Sequence, residues 1–251
     1  MYYINLKKNG YSAIKIPRYV FKSLKEGVLL SLNHKFKEQN FQSFQSFIKF
    51  LKTISNKLFI DKFGSNGSRI LNAECTREIN SWVKKTIPKK INCKKASINI
   101  IANFEYKNNN FLRKNQYSAF YRIVRKNKKD VGYPHRDSSF WKLGVVRKTN
   151  FKHKYVWKLW IPIMGVNRQN TLNMIHSSHK DDIKITYVKK NGQNKPKISK
   201  NYIKKNKNKI IKPIKFNGTE GVLFHSDTVH YANVNTTSDC RISVEFNILA
   251  K

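Results

Sequence analysis

Acidic residues are scarce in this sequence. Its 251 residues carry 14 Asp and Glu against 51 Lys and Arg, a formal net charge of +37. Such a balance points to an anionic partner: nucleic acid, a nucleotide-linked compound or an anionic surface. Base composition explains it equally well. Lys, Asn and Ile are all heavily used, as an AT-rich coding sequence would require. Lys far outnumbers Arg, the residue that leads in phosphate and base recognition. Cysteine is nearly absent too. Cys75, Cys93 and Cys240 are an odd number at scattered spacings, which excludes a disulfide framework and the usual zinc spacings. They read as free thiols in a reducing compartment. No run approaches the roughly 20 apolar residues of a membrane span. The opening MYYINLKKNG lacks the apolar core and small-residue cleavage site of a signal peptide. A soluble, cytoplasmic protein without a membrane partner is therefore expected. There is no internal repeat, and no RNA-binding sheet motif, zinc finger or helix-turn-helix.

What is present is enough apolar material for a proper core, 39% hydrophobic with 13% aromatic. Residues 41–60 place Phe41, Phe44, Phe47, Ile48, Leu51 and Ile54 at helical spacing, which predicts an amphipathic helix. FGSNGS at 63–68 reads as a loop. A second helix is expected over 70–86, with Ile70, Cys75, Ile79 and Trp82 inward. Beyond Pro88 the pattern changes to strands, at 96–106, 116–125, 155–166, 172–178, 220–226 and 241–249. No helical crossovers fit between them, which argues against a parallel α/β sheet. Residues 184–215 are Lys/Asn-rich with a turn at Asn191-Gly192. They read as a long hairpin or insertion, partly mobile.

One short stretch carries chemistry. In DVGYPHRDSSFW (130–141), His135 and Asp137 stand two apart. On a strand, such positions point to the same side, so both could reach one ion. A turn histidine beside a solvated aspartate is the plain alternative. A third ligand would come from His225 or His230. These are five apart and on a continuous strand would face opposite sides, so at most one points at an ion. From Arg241 the alternation is strict. Ile242, Val244, Phe246 and Ile248 take one face; Arg241, Ser243, Glu245 and Asn247 take the other. That polar face is either solvated or lines a barrel interior holding an anion. Two imidazoles and one carboxylate make the facial triad of non-haem Fe(II) oxygenases. It leaves positions open for a 2-oxo acid and dioxygen, and an arginine can fork onto the far carboxylate.

With these pieces in this order, the sequence resembles the Fe(II)/2-oxoglutarate-dependent dioxygenases, in their phytanoyl-CoA dioxygenase-like branch. The resemblance runs from about residue 117 to 249, roughly half the chain. It is carried by YRIVRKNKKDVGYPHRDSSFW, VWKLWIPIMGVNRQNTLNMIHSSHK and GVLFHSDTVHYANVNTTSDCRISVEFNI. It implies His135, Asp137 and His230 as iron ligands, with His230 preferred to His225. It also implies Arg241 on the distal carboxylate of 2-oxoglutarate, with Ser243 beside it. One departure is His176-Ser177 where the family usually shows Pro-Gly. His179, which follows, matches a position that is not a ligand. Related halogenases replace the carboxylate with a small residue, so Asp137 implies hydroxylation.

Other residues carry less. Trp141, Trp157 and Trp160 read as core, with one lining a substrate pocket, for which Trp141 is the candidate. Arg122 and Arg125 either meet an acidic substrate, with Arg122 the candidate, or face solvent. His34 and His153 carry no signal. The expected fold is mainly β (α+β): a jelly-roll, cupin-like double-stranded β-helix of about eight strands with N-terminal supporting helices. One catalytic domain should span 1–251, with a mostly helical support region at 1–95 and the β-helix at 96–251, carrying the Lys-rich insertion 184–215. The implied reaction uses Fe(II), 2-oxoglutarate and O2. It hydroxylates a small-molecule, anionic substrate and releases succinate and CO2. Two rivals stand beside it. One is a nucleic-acid-binding or nucleic-acid-modifying protein, resting on charge alone. The other is a cupin-like binding module with a dead site.

Overall fold

A computed structural model describes residues 2–64, 69–71, 73–98, 119–128, 130–140, 155–190, 193–212 and 219–250. Trp141 and His153 lie outside the described residues, as does the Asn191-Gly192 turn. The N-terminal part supplies α1 (Tyr2–Asn9), β1 (Tyr11–Lys15), α2 (Arg18–Lys35), α3 (Phe44–Leu51), α4 (Asn56–Phe63) and α5 (Ala73–Ile91). The single helix expected over 41–60 is two helices. The Ser43 and Ser55 hydroxyls each accept a backbone N–H three residues on, from Ser46 and Leu58. Each serine therefore starts a helix, which side-chain competition for the backbone explains. The next helix outlasts its expected end, running through Pro88 in its last turn. Ile87 and Ile91 are buried on either side of the proline and hold that turn to the core.

The remaining elements are β2 (Ala96–Ile98), β3 (Ala119–Val124), α6 (Ser138–Phe140), β4 (Tyr155–Met164), β5 (Leu172–Ile175), β6 (Ile185–Lys190), β7 (Gln193–Ile198), α7 (Lys200–Lys205), β8 (Ile210–Ile211), β9 (Glu220–His225), β10 (His230–Ala232) and β11 (Arg241–Ala250). Among the described residues their strands form two larger antiparallel sheets and a separate β6–β7 pair, the fold class expected. The larger runs β1-β9-β4-β11, and both β3 and β2 pair with β11; the smaller runs β10-β5-β8. Strand β1 is a departure, since it lies in the region read as mostly helical. Its pairing with β9, from Tyr11 opposite Phe224 to Lys15 opposite Glu220, makes it an edge of the larger sheet. Five residues with one polar end gave too short a pattern to read as a strand.

Strand β11 keeps the alternation its sequence shows. Ile242, Val244, Phe246 and Ile248 join the large core that the helices cover, with Leu24, Val28, Ile79 and Val83. The opposite face looks into the space between the sheets. There Trp160, Val222 and Phe224 of the larger sheet pack on Leu172 and Met174 of the smaller one. Among the tryptophans, Trp157 belongs to the helix-side core and Trp160 to this interior.

The Lys-rich segment forms the expected hairpin, β6 against β7. Its apolar minority ties it down. Ile198 is buried with Ile175 and Val229, flanked by Ile185, Tyr202, Ile203 and Ile210. The Ile198 amide donates to the carbonyl of Pro134, next to His135. The Tyr187 hydroxyl donates to the carbonyl of Ser139. The hairpin thus braces the loop that carries His135 and Asp137. Among the described residues, no helix is long and apolar enough to cross a membrane.

The turn between β10 and β11 is built on Asn235, which is fully buried. Its amide donates to the carbonyls of Val124 and Asp239, and its oxygen accepts from Asn170 and Thr237. Replacing Asn235 by Ala would orphan several of these buried groups. We expect a loss of about 3 kcal/mol, read as a lower urea midpoint at unchanged slope.

Candidate metal centre

His135 and His230 are placed by one reciprocal contact. The His135 amide donates to the His230 carbonyl at 3.2 Å, and the His230 amide donates back to the His135 carbonyl at 3.0 Å. This isolated antiparallel pair sets the two rings 4.5 Å apart between centroids. Phe140 and Phe224 pack on the two rings from outside. Asp137 follows two residues after His135. The Phe140 amide donates to the Asp137 carbonyl, and the Ser138 amide to the Ser226 carbonyl, so the short turn of α6 is pinned to the end of β9.

The ring nitrogens are assigned by their partners. Nδ1 of His135 lies 2.6 Å from the Tyr133 carbonyl, and Nδ1 of His230 lies 3.0 Å from that of Thr228. A carbonyl only accepts, so each Nδ1 carries the proton and each Nε2 keeps a free lone pair. Asp137 Oδ1 stands 3.7 Å from His135 Nε2 and 3.9 Å from His230 Nε2. The three ligand atoms all lie within 4.8 Å of one another. Burial pushes the His230 imidazole down to about 4, despite the pull of Asp137 in the other direction. It is therefore neutral at physiological pH, as a ligand must be. Burial pushes the Asp137 carboxyl up, but Lys158, His230 and His135 together hold it well below the usual carboxylate range. Two imidazoles that present Nε2 and one ionised carboxylate on a common focus are a donor set suited to Fe(II).

His225 is not part of this group. Its Nδ1 accepts from the Asp227 amide, and its ring packs on Trp157 and His179. His179 in turn reaches the Lys7 carbonyl through Nε2 and sits against Gly10, where φ is +84° and a Cβ would strike the imidazole. Its position fits the structural role expected of it.

The cavity beside the cluster has a free volume of about 430 Å³, its open mouth included. Its lining includes Arg122, Lys158, Trp160, Tyr231 and Glu245 alongside the two histidines. Arg122 Nε donates to Glu245 Oε1 at 2.7 Å. Lys158 Nζ lies 3.3 Å from Glu245 Oε2 and 3.4 Å from Asp137 Oδ2. Burial would raise the Glu245 carboxyl, but Arg122 and Lys158 hold it far below its usual value. Neither Lys158 nor Glu245 is singled out by the sequence. The available signal was a lysine inside the apolar run YVWKLWIPI and a glutamate on the polar face of β11.

Arg241 and Ser243 lie further along the same polar face, fully buried and away from the cavity lining. Arg241 Nη1 donates to the Asn170 carbonyl. Its Nε and the Ser243 hydroxyl have no partner, and among the described residues no carboxylate pairs with Arg241. Burial and the nearby Arg122 push its guanidinium down to about 10. Arg125 proves structural. It forks onto Asp130, bonds Asn56 and stacks 3.4 Å over the Phe59 ring.

The fold is similar to that of EctD from S. alaskensis solved with 2-oxoglutarate and 5-hydroxyectoine, at a TM-score of 0.57 and 11% identity over 99% of this chain and 74% of that one. EctD from S. alaskensis with bound Fe superposes at 0.52 with 10% identity, over 99% and 75% of the chains. AviO1 from Streptomyces viridochromogenes Tue57 superposes at 0.53 with 10% identity, over 99% and 93%. At these identities the likeness is one of fold. No curated protein matches the sequence. The family model described as phytanoyl-CoA dioxygenase matches residues 68–243, well over half of the chain. With that match, the chain belongs to the phytanoyl-CoA dioxygenase family of Fe(II)- and 2-oxoglutarate-dependent oxygenases.

Proposed function

We propose that this enzyme hydroxylates a small-molecule, anionic substrate in the cytoplasm, with the whole chain acting as one catalytic domain. The convergence of His135 Nε2, His230 Nε2 and Asp137 Oδ1 carries the reading, with these three residues holding Fe(II). Bound there, Fe(II) would supply dioxygen chemistry, one oxygen atom of O2 entering an unactivated C–H and the other entering succinate as 2-oxoglutarate loses CO2. The chain's own part is to bind, orient and enclose. The Nδ1–carbonyl bonds fix both imidazoles, and Trp160, Leu172 and Phe224 give the cavity apolar walls.

Arg241 and Ser243 are assigned to the distal carboxylate of 2-oxoglutarate. A buried guanidinium with no carboxylate at ion-pair distance among the described residues and an orphan Nε is costly alone and is satisfied by a ligand carboxylate. Arg122 is assigned to an acidic group of the substrate. Glu245 anchors its Nε, and among the described residues its two Nη groups have no bonding partner, while the residue lines the cavity. The formal net charge of +37 supports an anion through its encounter rate. EctD, solved with 2-oxoglutarate and 5-hydroxyectoine, supports a small substrate by analogy.

A metabolite screen following succinate release tests the whole reading. Turnover stimulated only by DNA, RNA or protein would reject the small-molecule substrate. His135→Ala, Asp137→Ala and His230→Ala should each abolish Fe(II)-dependent succinate formation, whereas His225→Ala should keep most of it. The reverse behaviour of the His225 and His230 variants would overturn the ligand set. Arg241→Ala removes one partner of a buried charge pair, at about 2–5 kcal/mol. The apparent constant for 2-oxoglutarate should therefore rise roughly 30-fold or more, and an unchanged constant rejects the role.

A further inference from the structure

The geometry points to Lys158 as a positioning residue that makes Asp137 a one-oxygen ligand. The inference rests on the metal reading above and extends it. Lys158 lies mid-strand in β4 with its side chain in the barrel interior, opposite Asn247 on one side and Phe224 on the other. It is almost fully buried. Three oxygens surround its ammonium: it donates to Asn247 Oδ1 at 3.3 Å and lies at ion-pair distance from Glu245 Oε2 (3.3 Å) and Asp137 Oδ2 (3.4 Å).

Two of these oxygens belong to β11 of the same sheet, and both are fixed by strand pairing. The ammonium is therefore fixed before it meets Asp137, which sits on the separate turn of α6. That contact splits the carboxylate. Oδ2 makes no hydrogen bond and faces the Lys158 ammonium at ion-pair distance, whereas Oδ1 is turned toward the two imidazole nitrogens. A carboxylate with both oxygens on an ion takes two neighbouring positions. With one oxygen it takes a single position, and half of an octahedral ion's positions stay open beside two histidines. A 2-oxo acid that chelates through two oxygens needs that room. Glu245 completes the device. Without its charge, Lys158 would have a single carboxylate partner and Arg122 none.

Cobalt(II) is a suitable probe, because its binding and its ligand count are read without turnover. The full-length protein, Lys158→Met and Lys158→Arg would be loaded with cobalt(II). Each would be examined by X-ray absorption at the cobalt edge and by crystallography, and titrated with 2-oxoglutarate by visible absorption. Thermal melts of the metal-free proteins confirm that each variant is folded. We expect one Asp137 oxygen on cobalt in the wild type and two in Lys158→Met. The 2-oxoglutarate constant of Lys158→Met should weaken by about tenfold or more, the usual cost of losing an outer partner of a metal ligand. Lys158→Arg, which still presents a cation to Oδ2, should restore the single oxygen and most of the affinity. Two Asp137 oxygens on cobalt in the wild type, or an unchanged 2-oxoglutarate constant in folded Lys158→Met, overturns the assignment. Asp137→Ala separates the two readings. If it binds cobalt as tightly as the wild type, the metal centre itself is misassigned.

Discussion

Strand β11 divides the molecule, and most of the rest follows from that division. One face of the strand is Ile242, Val244, Phe246 and Ile248, sealed under the N-terminal helices. The other is Arg241, Ser243, Glu245 and Asn247, facing the interior between the sheets. Side chains alternate along a regular strand, and from Ser243 onward the apolar face of β11 fixes the register of the polar one; against β4 the register shifts between Ile242 and Ser243. The register against β4 puts Lys158 opposite Asn247 and Trp160 opposite Glu245. The register against β3 puts Arg122 opposite Ser243. The charged lining of the cavity is thus set by packing on the far side of the sheet.

The interior is close to charge balance in a protein that is far from it overall. Asp137 and Glu245 belong to the small acidic minority of the chain, and both lie in the barrel against Lys158 and Arg122. Burying one sign alone would be prohibitive, so interior cations and anions occur together. Arg241 is the exception, a buried cation beside an orphan hydroxyl at the deep end of the same face.

Long, regular features of the fold were legible in the sequence. The alternation of β11 and the order of the strands after Pro88 gave a two-sheet body covered by helices. His135 and Asp137 were legible as a pair, because a close HxD is a local pattern. The odd spacing of His225 and His230 would set them on opposite sides of one continuous strand, but His225 ends β9 and His230 begins β10, so a turn rather than strand parity separates them. Which of them faces inward depends on the backbone pairing of His230 with His135, a contact across nearly a hundred residues that no local pattern encodes. Lys158 was hidden for a similar reason. Its partners Asp137, Glu245 and Asn247 come from other elements, and a lysine in a Lys-rich chain attracts no notice. The helix over 41–60 was misread as one because apolar spacing continues across Ser55, while the break is made by a hydroxyl. Composition suggested that the segment 184–215 has little to bury. A few isoleucines and Tyr202 suffice to pin it beside Pro134.

The pairing of β1 with β9 also bears on how the chain is made. The Thr219 hydroxyl donates to the Ile16 carbonyl across 203 positions, and β1 meets β9 along its whole length. Synthesis delivers β1 early and β9 late, so the emerging chain carries an apolar strand whose partner does not yet exist. Pairings this distant in sequence are slow to form, because loop closure must be overcome before any contact stabilises it. Until β1 arrives, β9 has β4 on one side and an open edge on the other, the kind of edge that recruits stray strands. Charged side chains close to such an edge, lysine above all, disfavour that stray pairing.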